Sequence, residues 1–350
     1  MSERSAAAVR TTAPDPVGSE REVVVLRLGD GRGRTGWGEA SPLEGYSPDD
    51  IGGAKRALDD WATRWAGGEA DGSDSALCAV PSARCAAEFA LLDLRARQLG
   101  VPLHAVLLDL ATPSRPVQRV PVCALVSLPG VERPGAPAAP TDLLREVGDR
   151  VGEGFKVVKF KVGGGQQFSL QLDQLRAVRA QFPHLKIRLD ANGSWTPEEA
   201  CDRLGELKAA IDPALVEQPV GAVELLTFGD SPVPLAADES LRLPDSVAAV
   251  TRSGACMAVV LKPMVLGGPR ACLSLAGVAH ANGARAIVSH TFGGPVAHAA
   301  SCELALAMAA IDPIGPPIAA GLAGHDDLEQ RAGPWIEPKE IQGHGVEVSR

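Results

Sequence analysis

From about residue 119 onward the chain repeats one pattern, a short apolar run followed by a segment of helical spacing, at intervals of roughly 25 residues. The runs are Pro121–Val126, Lys156–Val162, Lys186–Asn192, Leu215–Pro219, Pro234–Ser240, Met257–Pro263 and Arg285–His290. Between them, Phe168–Phe182 places Phe168, Leu172, Leu175 and Val178 at helical spacing. Thr196-Pro197-Glu198-Glu199 is a capping box with proline at the first helical position. Alternation of this kind predicts parallel β/α units, and seven or eight of them fit a closed barrel better than an open doubly wound sheet. No Gly-x-Gly-x-x-Gly opens a helix after the first strand, which counts against a dinucleotide fold, and Gly163-Gly164-Gly165 is a bare glycine turn.

Ahead of the barrel the texture differs. Residues 1–20 are small, polar and proline-containing, and are expected to be poorly ordered. Glu22–Leu28 reads as a strand, Gly29–Arg34 as a glycine-rich turn and Thr35–Ala40 as the hairpin partner. One helix starts at Ser47-Pro48 and runs to about Trp65; a second, strongly apolar, spans Ser82–Leu99 and is ended by Gly100 and Pro102. The expected organisation is an α+β capping domain over residues 21–118, a barrel over 119–324, and a segment 325–350 packing back on the cap.

Composition excludes several functions. Aromatic residues are 4% with a single tyrosine, Tyr46, and the net charge is -9 without a long Lys/Arg run. Neither nucleic acid nor an anionic membrane is an expected partner, and assembly into a homo-oligomer stays open. The 7 cysteines are scattered, never in a Cys-x-x-Cys pair, which points to buried thiols in a reducing cytoplasm. No apolar run reaches the length of a membrane span, and residues 1–20 lack the apolar core of a secretory signal, so a cytoplasmic location is expected.

Charges inside strands carry the functional signal. In Lys156–Val162, Val158, Phe160 and Val162 share one face and Lys159 and Lys161 the other. Barrel strands are buried on both faces, so the apolar face suits the outer helices and both ammonium groups point into the barrel. Four later strands also end in ionisable residues: Asp190, Glu217, Asp238 and Lys262. Carboxyl-terminal strand ends form the active-site rim of such barrels. Asp190, Glu217 and Asp238 would converge there as hard oxygen ligands of the kind Mg²⁺ prefers.

The chemistry follows from these parts. A proton beside a carboxylate is weakly acidic, because its removal builds a doubly charged enediolate, and a cation on the carboxylate stabilises that charge. The base must be neutral near pH 7, and a second ammonium two residues away lowers its pKa. Lys161 takes the base role, Lys159 tunes it and binds the substrate carboxylate, and Lys262 stands on the opposite wall as a second base or as a cation over the enolate.

With these residues assembled, the chain resembles the enolase superfamily, in its muconate-lactonising-enzyme-like subgroup. The matching motifs are KFK (159–161), LDAN (189–192), VEQP (216–219), ADES (237–240) and LKP (261–263), with GWGEASPLEGYS (36–47) and ARCAAEFALLDLRARQLGVPL (83–103) similar to the family's cap. The resemblance implies an α/β fold, a (β/α)7β TIM-like barrel with an α+β capping domain, acting on a small-molecule carboxylate. It implies Mg²⁺ as cofactor, with Mn²⁺ as a substitute. Within the subgroup the best likeness is to the o-succinylbenzoate synthase family, carried by GWGEASPLEGYS, DESLR (238–242) and LKPMVLGG (261–268). This implies syn-dehydration of 2-succinyl-6-hydroxy-2,4-cyclohexadiene-1-carboxylate in menaquinone biosynthesis. N-acylamino acid racemases, dipeptide epimerases and cycloisomerases share the equipment and remain alternatives.

Two departures from the family stand out. The resemblance implies a further N-terminal cap strand followed by a lid loop that closes over the substrate, and the region here is short and Pro/Ala-rich. After the seventh strand, Ser289-His290-Thr291-Phe292-Gly293-Gly294-Pro295 has glycine where relatives carry a glutamate, which counts against a dipeptide epimerase. Two readings of Gly293-Gly294 stand: a plain glycine turn, or backbone N–H groups that, helped by Ser289 and Thr291, bind a second carboxylate. Asn192 and Tyr46 are expected substrate contacts, Glu39 a structural residue, and His290 and His298 packed or solvated rather than basic.

Overall fold

The hairpin read over residues 22–40 is part of a three-stranded antiparallel sheet, β1 (Ser5–Pro14), β2 (Glu20–Gly29) and β3 (Thr35–Ala40), in that order. This computed structural model describes residues 4–15, 19–71, 74, 77–130, 142–163, 168–252 and 254–348. The expectation of a poorly ordered N-terminus is overturned over Ser5–Pro14, where β1 pairs with β2 from Ser5 opposite Gly29 to Pro14 opposite Glu20. An apolar β2 without that partner would leave a long unpaired edge. Ala6 and Ala8, two apart, pack on the cap core, but alanine gives an apolar pattern too faint to read as a strand.

Helix α1 (Ile51–Ala66) begins later than Ser47-Pro48 because Asp50 is its cap, accepting the Gly53 N–H. Helix α2 (Pro81–Leu99) stops where glycine allows it, with Gly100 left-handed at φ 69°. It lies directly on β3: a Cβ at Gly38 would come 1.9 Å from the Ala86 carbonyl oxygen. Leu26, Leu28, Leu58 and Trp61 fill the cap core, and α3 (Leu103–Leu108) leads toward the barrel.

The first predicted barrel strand divides. β4 (Val120–Pro121) pairs outside the barrel, and β5 (Ala124–Val126) enters it. Then follow α4 (Leu143–Gly152), β6 (Val157–Lys161), α5 (Phe168–Gln181), β7 (Lys186–Asp190), α6 (Pro197–Ala210), β8 (Leu215–Glu217) and β9 (Leu235–Ala237). Next come α7 (Ser246–Arg252), β10 (Cys256–Leu261), α8 (Pro263–Leu266), α9 (Pro269–Ala281), β11 (Arg285–Val288) and α10 (Pro295–Ile311). Strands β5 to β11 lie side by side in chain order, all parallel. The segment 319–322 closes the ring as an eighth position, bridging Ala320 to Val122 and Gly321 to Ser289. The α/β class and the (β/α)7β barrel under an α+β cap therefore hold. One crossover departs: β8 reaches β9 through a single 3-10 turn, Glu224–Thr227.

The chain then forms β12 (Arg331–Ala332) and β13 (Trp335–Ile336), β13 pairing with β4. Beyond it the His344 N–H donates to Asp93 of α2 at 2.8 Å, and the Trp37 indole donates to Glu347. The five cysteines 85, 123, 256, 272 and 302 are buried free thiols, while Cys78 and Cys201 are exposed. Among the described residues no helix is long and apolar enough to cross a membrane.

Candidate active site

The alternation in β6 has the consequence its sequence demands. Val158 and Phe160 are buried against the helix layer, and Lys159 and Lys161 enter the barrel. Parallel register sets Lys161 opposite Asp190 and Asp190 opposite Glu217, so charges one strand apart share a layer at the mouth. Asp238 follows the end of β9 and Lys262 the end of β10. Five of the six line two adjoining cavities, and Asp238 is bonded to Lys262 and Tyr46 of their walls. The inner one is walled by Lys159, Lys161, Asp190, Glu217 and Lys262; the outer, of about 310 Å³, reaches the cap loop at Tyr46.

The lysines are not equivalent. Lys159 donates to Asp190 at 3.0 Å and to both Glu217 oxygens at 3.2 and 3.3 Å. Burial alone would lower its pKa, but Asp190 and Glu217 hold it above the ordinary lysine value. Lys262 donates to Asp238 and, at 2.9 Å, to the Tyr46 hydroxyl, and is likewise held up against burial. Lys161 has neither an ion pair nor a hydrogen bond among the described residues; its nearest aromatic face is Phe292, 6.0 Å away. Burial, then Lys159 and Lys262, push its pKa down, with only Asp190 and Glu217 opposing. One lysine of three is thus free to lose its proton.

The acids respond in kind. Asp190 is held low against burial by the three lysines, whereas burial and Asp190 together push Glu217 up. Three buried carboxylates on adjacent strand ends make a hard-oxygen donor set of the type a divalent cation takes. They are not preassembled as a cage: among the described residues no three such side chains converge on one point, because the Lys159 and Lys262 ammoniums stand between them. The donor chemistry fits Mg²⁺, and the raised Glu217 marks more buried negative charge than the neighbouring cations relieve.

The rim is held by strained backbone and dedicated hydrogen bonds. Asn192, Gln218 and Phe292 are left-handed at φ 47°, 41° and 55°. Such conformations cost energy in non-glycine residues and cluster at functional sites. Asn192 donates to Glu239, while its own Oδ1 and Glu239 Oε2 are buried without partners beside the outer cavity. Gln218, which sequence reasoning passed over inside VEQP, accepts the Asp238 and Ser240 N–H groups and so fixes the entry of Asp238. Tyr46 reaches in from the cap, its hydroxyl donating to Asp238 at 2.8 Å. Arg21, also missed, spans the domain junction and donates to the carbonyls of Thr291, Phe292 and Pro42.

The wall after β11 differs from expectation. Gly294 does not offer its N–H to a ligand: Glu39 accepts it at 2.6 Å and also the Ala297 N–H, capping α10 from the cap side. Neither glycine lines the two cavities, and a Cβ at Gly293 would meet Ser41 at 2.7 Å. Gly294 is thereby corrected as a carboxylate donor, because its N–H is taken by Glu39. Ser289 lines the inner cavity but donates to the Gly321 carbonyl that closes the barrel. Thr291 lines the outer cavity with its hydroxyl buried and unpartnered. His290, expected to be packed or solvated, lines both cavities, and His298 is buried behind it.

A closed parallel barrel with buried acids and lysines at its carboxyl-terminal mouth, under a separate α+β cap, is the architecture of a capped-barrel enzyme. The family described as Enolase C-terminal domain-like matches residues 142–350, and the chain belongs to it and to the enolase superfamily. Similar curated proteins include the o-succinylbenzoate synthase of Salmonella arizonae, 32% identical over 77% of this chain and 74% of that one. The hydrophobic dipeptide epimerase of Roseobacter litoralis is also 32% identical, over 73% and 72%. Among solved structures, the dipeptide epimerase from Methylococcus capsulatus complexed with Mg ion shares the fold at TM-score 0.80 and 22% identity, covering 98% of this chain and 99% of that one. Muconate cycloisomerase from Pseudomonas fluorescens does so at 0.79 and 21%, over 98% and 95%.

Proposed function

We propose that the protein is a Mg²⁺-dependent carbon–oxygen lyase that forms o-succinylbenzoate by syn-dehydration of 2-succinyl-6-hydroxy-2,4-cyclohexadiene-1-carboxylate, a step of menaquinone biosynthesis. The observation that carries the reading is the inequality of the lysines: Lys161 free and depressed, Lys159 and Lys262 held as ammoniums. Neutral Lys161 takes the proton α to the ring carboxylate. The same group, now an ammonium on the same face, gives the proton to the leaving hydroxyl; C–H and C–O bonds break, the ring becomes aromatic and water departs. Lys159 binds the substrate carboxylate, and Lys262, braced by Tyr46, lies over the developing enediolate as fixed positive charge. Asp190, Glu217 and Asp238 would hold the Mg²⁺, with Mn²⁺ as a substitute. When bound, it supplies Lewis-acid stabilisation of the carboxylate's extra charge. Asn192 and Thr291 have unpartnered oxygens at the outer cavity and are the remaining substrate contacts we assign.

A racemase or epimerase reading draws on the Roseobacter relative's name. It needs two opposed bases, whereas Lys262 is tied to Asp238 and Tyr46. Direct assay for o-succinylbenzoate decides the matter, run beside incubation of N-acylamino acids and dipeptides in D₂O. Product formation without α-deuterium exchange is expected; exchange without product would replace the lyase by the racemase.

A further inference from the structure

Four residues wall both cavities: Lys161, Lys262, Phe292 and His290. The reaction above uses the lysines and leaves His290 without a part. Its ring is tied at one nitrogen, because the Phe292 N–H donates to His290 Nδ1 at 2.9 Å. A backbone amide has only a hydrogen to offer, so Nδ1 presents its lone pair and the neutral ring carries its proton on Nε2. No group among the described residues hydrogen-bonds to that Nε2.

The arrangement is built rather than incidental. Phe292 holds its left-handed φ of 55° while Arg21 anchors the carbonyls on either side of the Phe292 N–H, those of Thr291 and Phe292. Behind His290 the rings continue, His298 at 5.2 Å and His325 a further 4.9 Å on, which fixes the imidazole plane. The charged groups that act most on His290 are Lys262, His325, Lys159 and Lys161, with the His298 ring stacked behind, and the acids Asp190, Glu217, Glu44 and Glu239 line the same two cavities. Burial, then Lys262, pushes His290 down to about 3.

We propose that His290 is a specificity-determining residue, an uncharged Nε2–H donor that holds a carbonyl or carboxylate oxygen of the substrate's second arm at the junction of the two cavities. The inference rests on the proposed function for its substrate and deepens it. An N–H in cavities that two lysines also line rewards an acceptor and rejects an ammonium, which would meet a donor and two like charges. Succinyl-type arms are accepted; the free amino end of a dipeptide is not.

The test uses the full chain labelled with ¹⁵N-histidine, and o-succinylbenzoate and Ala-Glu as probes. Expected at neutral pH is a histidine with unprotonated Nδ1 and protonated Nε2 that is absent in His290→Phe, and so separate from His344, whose Nδ1 also accepts a backbone N–H; the His290 Nε2–H signal moves when o-succinylbenzoate is added. His290→Phe should weaken o-succinylbenzoate binding roughly 10-fold and His290→Gln, which keeps an N–H, should restore most of it. The pH dependence of binding should not change between these variants. An Nδ1–H tautomer, unchanged binding in His290→Phe, or tighter binding of Ala-Glu than of o-succinylbenzoate would each overturn the proposal. None of these readouts needs turnover. A wild-type protein that binds as described without dehydrating its substrate would overturn the reaction and leave the donor in place.

Discussion

Where the cap meets the barrel, Glu39, Glu88 and Asp93 are buried as deeply as Asp190, Glu217 and Asp238 at the mouth, but the two sets keep different company. At the junction the partners include rigid backbone: Glu39 takes the N–H groups of Gly294 and Ala297, Glu88 that of Arg270, and Asp93 those of Trp37 and His344. At the mouth the main partners are movable side chains, the ammoniums of Lys159 and Lys262 and the hydroxyl of Tyr46. A carboxylate bonded to backbone amides is held by donors that cannot move away, and it serves to join elements. One bonded to an ammonium on a flexible stem can exchange that partner for another cation. Burial and charge alone do not distinguish structure from chemistry; the partner does.

Lys161→Ala breaks the mouth most severely. Turnover should fall by about 10³-fold or more, the scale of a lost general acid–base group, while Mg²⁺ binding by calorimetry stays close to wild type. In the intact protein Lys161 must be neutral to accept a proton. Its pKa is depressed, so turnover should rise with pH along a limb that ends below the ordinary lysine value of about 10.4. A pH–rate profile flat across that range would remove Lys161 from the base role.

Glu217→Gln comes next and separates the two kinds of acid. Replacing a crowded carboxylate by its neutral isostere should weaken Mg²⁺ at least roughly 10-fold while leaving the urea midpoint unchanged or higher. Glu39→Ala should do the reverse. With two buried N–H groups orphaned at the start of α10 it should cost about 2 kcal/mol of folding stability, with Mg²⁺ affinity kept. If the two variants lost stability equally, the contrast would fail. Tyr46→Phe is the mildest: it removes one neutral hydroxyl, and kcat/KM should drop only a few-fold.

Much of this was readable beforehand, for identifiable reasons. Strand periodicity in 156–162 placed Lys159 and Lys161 inside, and strand ends placed Asp190, Glu217, Asp238 and Lys262, because period-two geometry and barrel topology act on few residues at a time. The Thr196 capping box and the Gly100 stop were local and also legible. What escaped depends on contacts between distant segments. Gly294 looked like an anion site until Glu39, 255 positions away, took its N–H. Strand β1 is alanine-rich and shows itself only through its ladder with β2. His290 looked inert because the tautomer that aims its proton is set by the Phe292 backbone, and no side-chain pattern records a left-handed φ.

The cap's hold on the far end of the chain has a consequence for synthesis. Asp93 and its partner His344 are separated by 251 positions, and Arg97 of the same helix reaches the Val346 carbonyl. Domains commonly fold as they leave the ribosome, beginning with the earliest. Here the cap emerges first yet cannot complete its own junction until the whole barrel has been made and residues 343–347 arrive. The Tyr46 loop that roofs the lysines sits in that same waiting domain. A nascent chain therefore carries an unlatched roof until residues 343–347 have been made, and a message cut short anywhere in the barrel yields a cap without that latch.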